Sequence, residues 1–372
     1  MRRLGIIVNP VAGLGGSVAL HGSDGLAAEA LARGARPRAT SRTVEALDVL
    51  RRNDSAIEIL CRAGEMGGDA ASAAGFAATI VGEAAPRPSS AIDTRRAAQE
   101  LIERGIDLLL FAGGDGTACD LVDAVGTRVP VLGVPAGVKM QSGVFATTPG
   151  AAGRLAAEFL AGEPGVAPLG DADVMDLDEA ARRRGEIGAR LHGVLRSPEH
   201  RRLRQNPKAG ATLTAPELIA ALAASVAQSM ARDTLYFLGP GTTMQAIKRA
   251  LGLDGTLLGV DAVHNGRRVG IDLGEREILA LVDGGARARL MVSPLGGQGF
   301  VFGRGNQQVS AAVLRRLGRD HIVLVSTLGK LLALNGAGLL VDTGDAALDR
   351  ELAGWHRVIV GANQTTVYRI AA

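Results

Sequence analysis

The sequence predicts a two-domain α/β protein: a parallel sheet with helices on both faces, followed by a second, mixed α/β domain. Three observations carry this. Short apolar runs rich in strand-forming residues alternate with stretches of helical periodicity, the pattern of βαβ units. The strand Asp107–Ala112 is unbroken in its apolar character from Leu108 onward, as a strand buried on both faces must be. Glycine is abundant, 51 of 372 residues, without a Gly-X-Y period, and it clusters between apolar runs. Such glycines mark tight loops joining strands to helices.

The elements follow in order. Leu4–Val8 is the first strand and runs into Asn9-Pro10-Val11-Ala12-Gly13. Thr43–Arg51 has helical periodicity, Ile57–Leu60 and Ala77–Val81 are strands, and Gly82–Ser90 with its two prolines is a loop. Helix Thr94–Glu103 leads to strand Asp107–Ala112, then a glycine loop, a helix from Thr117 and strand Val131–Val134. Pro149 suits the first turn of a helix reaching Ala161. Gly162–Gly165 breaks the chain and sets a boundary between a nucleotide-binding domain, 1–163, and a second domain, 164–372. Val166–Leu195 is strand-like and charged. Thr214-Ala215-Pro216-Glu217 is a capping-box sequence before helix Leu218–Met230. Strand Thr234–Leu238, loop Gly239–Thr243, a helix to Leu251 and strand Leu257–Val260 restore the alternation. Asn265-Gly266 is the turn of a hairpin, and Leu290–Val292, His321–Val325 and Val358–Val360 are further strands.

Composition removes several function classes. Hydrophobic residues make up 47% of the chain, enough for a packed core, so it is not a disordered segment. Net charge is +3, and the densest basic stretches, Ala181–Arg184 and Arg201–Arg204, have no interleaved aromatics. With aromatics at 3% there is no base-stacking platform, and no nucleic-acid partner is expected. No apolar run approaches the ~20 residues of a membrane span, so no membrane partner is expected either. Two cysteines, Cys61 and Cys119, fit a reducing cytoplasm rather than a disulfide framework. The six histidines are scattered and show no zinc-ligand spacing. A homo-oligomer is compatible with all of this.

The chemistry concentrates in Gly113-Gly114-Asp115-Gly116-Thr117, between a buried strand and a helix. Glycines let backbone approach phosphate, and a helix start adds N–H groups and positive potential. In open α/β sheets ligands sit at the carboxyl ends of the strands, where this loop lies. A carboxylate among phosphates is repelled unless the chemistry uses it. Asp115 takes a proton from an attacking hydroxyl, holds Mg²⁺ against the phosphates, or caps the helix. Only four of the 41 basic residues are lysine, and Lys139 stands beside a glycine loop, so it is a candidate phosphate contact or a surface residue. Gly239-Pro240-Gly241-Thr242-Thr243 again joins a strand to a helix and suits a second phosphate or a ribose. Gly239, Gly241, Thr242 and Thr243 are its candidate ligands. The long polar stretch Gly296–Gln308 reads as a site loop, with Gly297, Gln298 and Gly299 in it and Asn306 and Gln307 able to read an amide or base edge. Cys119, just inside the helix, is either a thiol of lowered pKa or a packed small residue.

At these residues the chain resembles a known superfamily. Gly113–Thr117 is similar to the signature loop of the NAD kinase, diacylglycerol kinase and 6-phosphofructokinase group, and Asn9-Pro10 to the start many members share. Val134-Pro135-Ala136-Gly137-Val138-Lys139-Met140, Gly239–Thr243 and Gly296–Gln308 narrow the likeness to the ATP-NAD kinase/AcoX family. The AcoX branch of that family is named for acetoin-catabolism operons. The likeness spans nearly the whole chain. It implies an NAD kinase/phosphofructokinase-like sheet, nucleotide contacts at Asn9, Gly113, Gly114, Gly116 and Thr117, a catalytic role for Asp115, and Mg²⁺ delivered with ATP. The Asn-Glu pair and the Thr-Pro-Thr-Gly-Ser-Thr-Ala-Tyr-like segment of typical NAD kinases are not found; Ser293-Pro294-Leu295-Gly296-Gly297 is a loose echo. Three readings therefore stay open: phosphoryl transfer from ATP to NAD or a related dinucleotide, a lipid or alcohol kinase, and a non-catalytic nucleotide-binding regulator linked to acetoin catabolism. The lack of a basic amphipathic membrane helix weighs against the second.

Overall fold

A computed structural model describes residues 1–20, 26–53, 57–86, 88–138, 140–162, 165–177, 189–200, 203–205, 216–334 and 336–371. The chain forms two compact units, Met1–Leu14 with Arg36–Pro207, and Gly15–Ala35 with Lys208–Ala372.

The first unit is built on five parallel strands: β1 (Arg2–Val8), β2 (Ile57–Cys61), β3 (Ala78–Ile80), β4 (Leu108–Gly113) and β5 (Val131–Pro135). Their order is β3-β2-β1-β4-β5. The chain winds outward from β1 in one direction and from β4 in the other, so a topological switch lies between these two neighbours. Side chains alternate across the sheet. Leu4, Ile6 and Val8 enter a core shared with helices Ala39–Asn53 and Pro149–Ala161. Ile7, Leu109 and Phe111 enter the opposite core, under helices Ala91–Glu103 and Asp115–Val125. Every residue of β4 is buried, as its apolar run requires. Gly153 lets two helices touch: a Cβ there would overlap the Ala46 carbonyl oxygen.

The unit continues past the boundary expected near residue 163. Strands β6 (Leu169–Leu177) and β7 (Ala189–Pro198) form an antiparallel pair. Asp171 and Asp173 are exposed, whereas Ala172, Val174 and, across the pair, Leu195 complete the second core of the first unit. The unit ends near 207 because this apolar face belongs to that core.

The second unit carries a nine-stranded sheet of order β10-β9-β8-β11-β13-β15-β16-β14-β12. Its strands are β8 (Thr234–Leu238), β9 (Asp261–His264), β10 (Arg267–Gly270), β11 (Arg287–Val292), β12 (Phe300–Phe302), β13 (Ile322–Val325), β14 (Leu339–Val341), β15 (Gly354–Gly361) and β16 (Gln364–Ala371). β8, β11, β13 and β15 run parallel. Leu235 and Phe237 pack on one face with Val313 and Leu314, Tyr236 and Leu238 on the other with Leu222 and Ile247. The hairpin forms as expected: Asn265 and Gly266 both take positive φ, 50° and 74°, between β9 and β10.

Local chemistry shifts some elements. The helix expected from Thr94 starts at Ala91, because Ser90 and the Asp93 carboxylate form a capping box, with Ser90 Oγ donating to Asp93 at 2.7 Å. Leu257–Val260 is not a strand; Lys248 Nζ takes the Thr256 carbonyl at 2.7 Å and the Gly259 carbonyl at 3.3 Å, which folds this segment as a loop before β9. The capping-box residues Thr214 and Ala215 and the basic stretch at 181–184 lie outside the described residues, as do Arg201 and Arg202. Among the described residues no helix is long and apolar enough to cross a membrane.

Candidate functional site

The carboxyl ends of β1, β4 and β5 bring three loops of the first unit together. After β1, Asn9 N–H extends the ladder to the Ala112 carbonyl at 2.9 Å. Its side-chain oxygen accepts from Val11 N–H at 3.2 Å, which closes an Asx turn, and its Nδ2 donates to Thr117 Oγ1 at 2.9 Å. One asparagine thus fixes both the Asn-Pro loop and the first turn of helix Asp115–Val125.

The glycines serve this packing. Gly13 has φ +76°, and a Cβ on it would overlap the Ala136 carbonyl oxygen. A Cβ on Gly137 would come 2.7 Å from Gly114 Cα, so the β4 and β5 loops meet backbone to backbone. The Gly113 carbonyl accepts from both Ala136 and Gly137 N–H, at 3.0 and 2.9 Å, and a Cβ on Gly113 would lie 2.5 Å from Thr117 Cβ. Gly116 is the exposed residue of the helix start, between buried Asp115 and Thr117. Gly13→Ala combines a left-handed backbone with the collision at Ala136. It is expected to cost about 2–3 kcal/mol, read from denaturant melts, and to weaken nucleotide binding.

Asp115 faces inward. One carboxylate oxygen accepts from Gln141 N–H at 2.8 Å; the other accepts from Ser142 N–H at 3.0 Å and Ser142 Oγ–H at 2.5 Å. Ser142 Oγ in turn accepts from Met175 N–H at 2.9 Å. Gln205, 2% exposed, donates to the Met140 and Ser142 carbonyls at 2.9 and 3.2 Å. Arg42, from helix Ala39–Asn53, donates to the Pro135 carbonyl beside the same loop. Sequence reasoning missed Arg42, Gln141, Ser142 and Gln205. Only the first-unit loop at 134–140 hinted at Gln141 and Ser142, which follow it directly; nothing local marks Arg42 or Gln205. Lys139 lies outside the described residues.

Asp115 therefore anchors the 140–142 loop, and service as a base on a bound hydroxyl requires those bonds to open. Cys119 is not an activated thiol: burial and the nearby carboxylates of Asp176 and Asp115 push it up to about 12. Among the described residues no group of three or more His, Cys, Asp or Glu could hold a metal ion.

In the second unit Gly239 and Gly241 lie between β8 and helix Thr242–Ala250, with Thr242 exposed and Thr243 buried. Gly241 has φ +107° and donates its N–H to the Leu257 carbonyl at 2.8 Å. Gln298 and Gly299 both donate backbone N–H to the Leu295 carbonyl, and Gly297 and Gly299 share φ +77°, a turn that feeds β12. Asn306 is 4% exposed and donates to the Val301 carbonyl at 2.7 Å while accepting from Gly303 N–H at 3.2 Å. Gln307 donates to the Gly303 carbonyl at 3.4 Å and lies over Gly16, whose Cβ would overlap its Oε1. These amides close their own loop.

Close-packed glycine loops at the switch point of a parallel sheet, with a helix start beside them, place the first unit among the open α/β folds, in which ligands sit at such strand ends. The model of the ATP-NAD kinase N-terminal domain matches residues 4–164, and that of the ATP-NAD kinase C-terminal domain matches residues 232–370. The chain belongs to the ATP-NAD kinase family, with the kinase, NAD and ATP-binding character this carries. No curated protein matches it as a relative.

Proposed function

We propose that the protein transfers the γ-phosphoryl group of ATP to a hydroxyl of NAD or a related dinucleotide, with nucleotide phosphates seated on the Asn9–Gly13 and Gly113–Thr117 loops. The observation that carries this reading is the junction of these loops and Ala136–Gly137 at the β1/β4 switch, where glycines let the loops meet backbone to backbone. In the reaction the bond between the γ-phosphorus and the β,γ-bridging oxygen of ATP breaks. A bond forms from phosphorus to the acceptor oxygen, and the acceptor's proton leaves for a base. Mg²⁺ carried by ATP supplies charge neutralisation on the phosphates. The chain's own part is positioning. Asn9 and Thr117 fix the helix start against β1, and Asp115 and Ser142 hold the 140–142 loop. In this reading Asp115, in the Gly113–Thr117 loop, is also the base of the reaction once its bonds to the 140–142 loop open.

Purified protein given ATP, Mg²⁺ and NAD should form NADP and ADP in equal amounts, followed with an NADP-specific dehydrogenase. A second reading, a nucleotide-binding regulator, draws support from the engagement of both Asp115 oxygens. Ligand-induced stabilisation by NAD or ATP with no NADP over hours would establish it in place of the kinase.

A further inference from the structure

The second unit also gathers loops at the carboxyl ends of parallel strands. β8 has antiparallel β9 on one side and parallel β11 on the other, and β13 and β15 continue the parallel run beyond β11. Three loops leave the carboxyl ends of the parallel strands here: Gly239–Thr243 after β8, Ser293 after β11, and Ser326-Thr327 after β13. Lys330 draws all three together. Its Nζ donates to Thr243 Oγ1 at 2.8 Å and to Ser293 Oγ at 3.5 Å, and Thr327 caps the turn that carries it. Lys330 is half-buried, Thr243 is 1% exposed, and a Cβ on Gly241 would meet nothing within 4 Å. The ammonium and the start of the nine-residue helix Thr242–Ala250 thus both bring positive potential to the Gly239–Thr243 loop. In a chain with only four lysines, a compact, strongly hydrated cation at the carboxyl ends of parallel strands is a specific choice.

We propose that this edge of the second unit is a phosphate site in its own right, with Lys330 as its cation and Thr243 and Ser293 as hydroxyl ligands, and that it takes an ionised phosphate of a nucleotide. The inference uses the phosphate-ligand part of the reading above and does not depend on turnover. The test is titration calorimetry of parent, Lys330→Met and Lys330→Arg with ATP, NAD and inorganic pyrophosphate, at low and high salt, with ligand-free melting as the fold control. Lys330→Met should melt near the parent and lose about tenfold or more in affinity for at least one nucleotide and for pyrophosphate. The loss should shrink at high salt, and Lys330→Arg should recover part of it. Loss for ATP alone assigns the site to the donor, and loss for NAD alone assigns it to the acceptor. Should Lys330→Met fail to fold, Ser293→Ala should still weaken binding severalfold. Parent-like affinity for all three probes in the folded variants overturns the site, whether or not NADP forms. An absence of NADP with the parent, alongside weakened binding in Lys330→Met, overturns the kinase reading and leaves this one standing.

Discussion

Asp115→Asn is expected to lower the melting temperature of the first unit and to remove most NADP formation. Among the described residues, the carboxylate accepts hydrogen bonds from Gln141 N–H, Ser142 N–H and Ser142 Oγ–H. An amide has one oxygen, so its NH₂ must face at least one of these donors. A buried donor left unsatisfied costs about 1–3 kcal/mol, or several degrees in a unit of this size. The 140–142 loop then loses its anchor beside Ala136–Gly137. Whether Asp115 acts as base or as organiser, its loss should reduce turnover by roughly 10²–10⁴. Paired melting and product assays decide the matter. A fall in melting temperature with near-parent turnover would reduce Asp115 to a strut, and unchanged melting would contradict the bonding of the loop.

Lys248→Met should have the largest effect on stability, in the second unit. Lys248 and Asp261 pair at 2.9 Å with side chains 1% and 2% exposed. Removing the ammonium leaves a buried carboxylate without its counter-charge, which typically costs about 3–5 kcal/mol. It also frees the carbonyls of Thr256 and Gly259, and with them the loop whose Leu257 carbonyl accepts Gly241 N–H. Nucleotide affinity at Gly239–Thr243 should therefore weaken as well. The double variant Lys248→Met with Asp261→Asn should be less damaged than Lys248→Met alone, because the stranded charge is gone. Urea denaturation of the three proteins measures this; equal stability of single and double variants would count against a charge-driven loss. Burial pushes the Asp261 carboxyl up, but the Lys248 charge and N–H groups from Asp272 and Thr256 outweigh it and hold it below the usual carboxylate range. A depressed acid stabilises fully above its unfolded value, about 3.9, and loses that share as pH falls through the folded value. The parent's second unit should accordingly weaken below about pH 4.

Local pattern alone determined the α/β class, the parallel first sheet and the strand–glycine loop–helix junction at Gly113–Thr117. The continuous run Leu108–Ala112 can be satisfied only between two helical layers, and Asn265-Gly266 suits a two-residue hairpin turn whatever surrounds it. The likeness at Gly113–Thr117 likewise needed only neighbours in sequence. Tertiary structure decided what those residues touch. Gly13 meets Ala136 across more than a hundred residues, and Asp115 is claimed by Gln141 and Ser142 rather than left open. No local signal shows that Lys248 would turn Leu257–Val260 from strand to loop, or that Lys330 would reach Thr243 and Ser293. Periodicity and turn chemistry are short-range properties of the chain, whereas hydrogen-bond partners and close backbone contacts exist only once distant strand ends are set side by side.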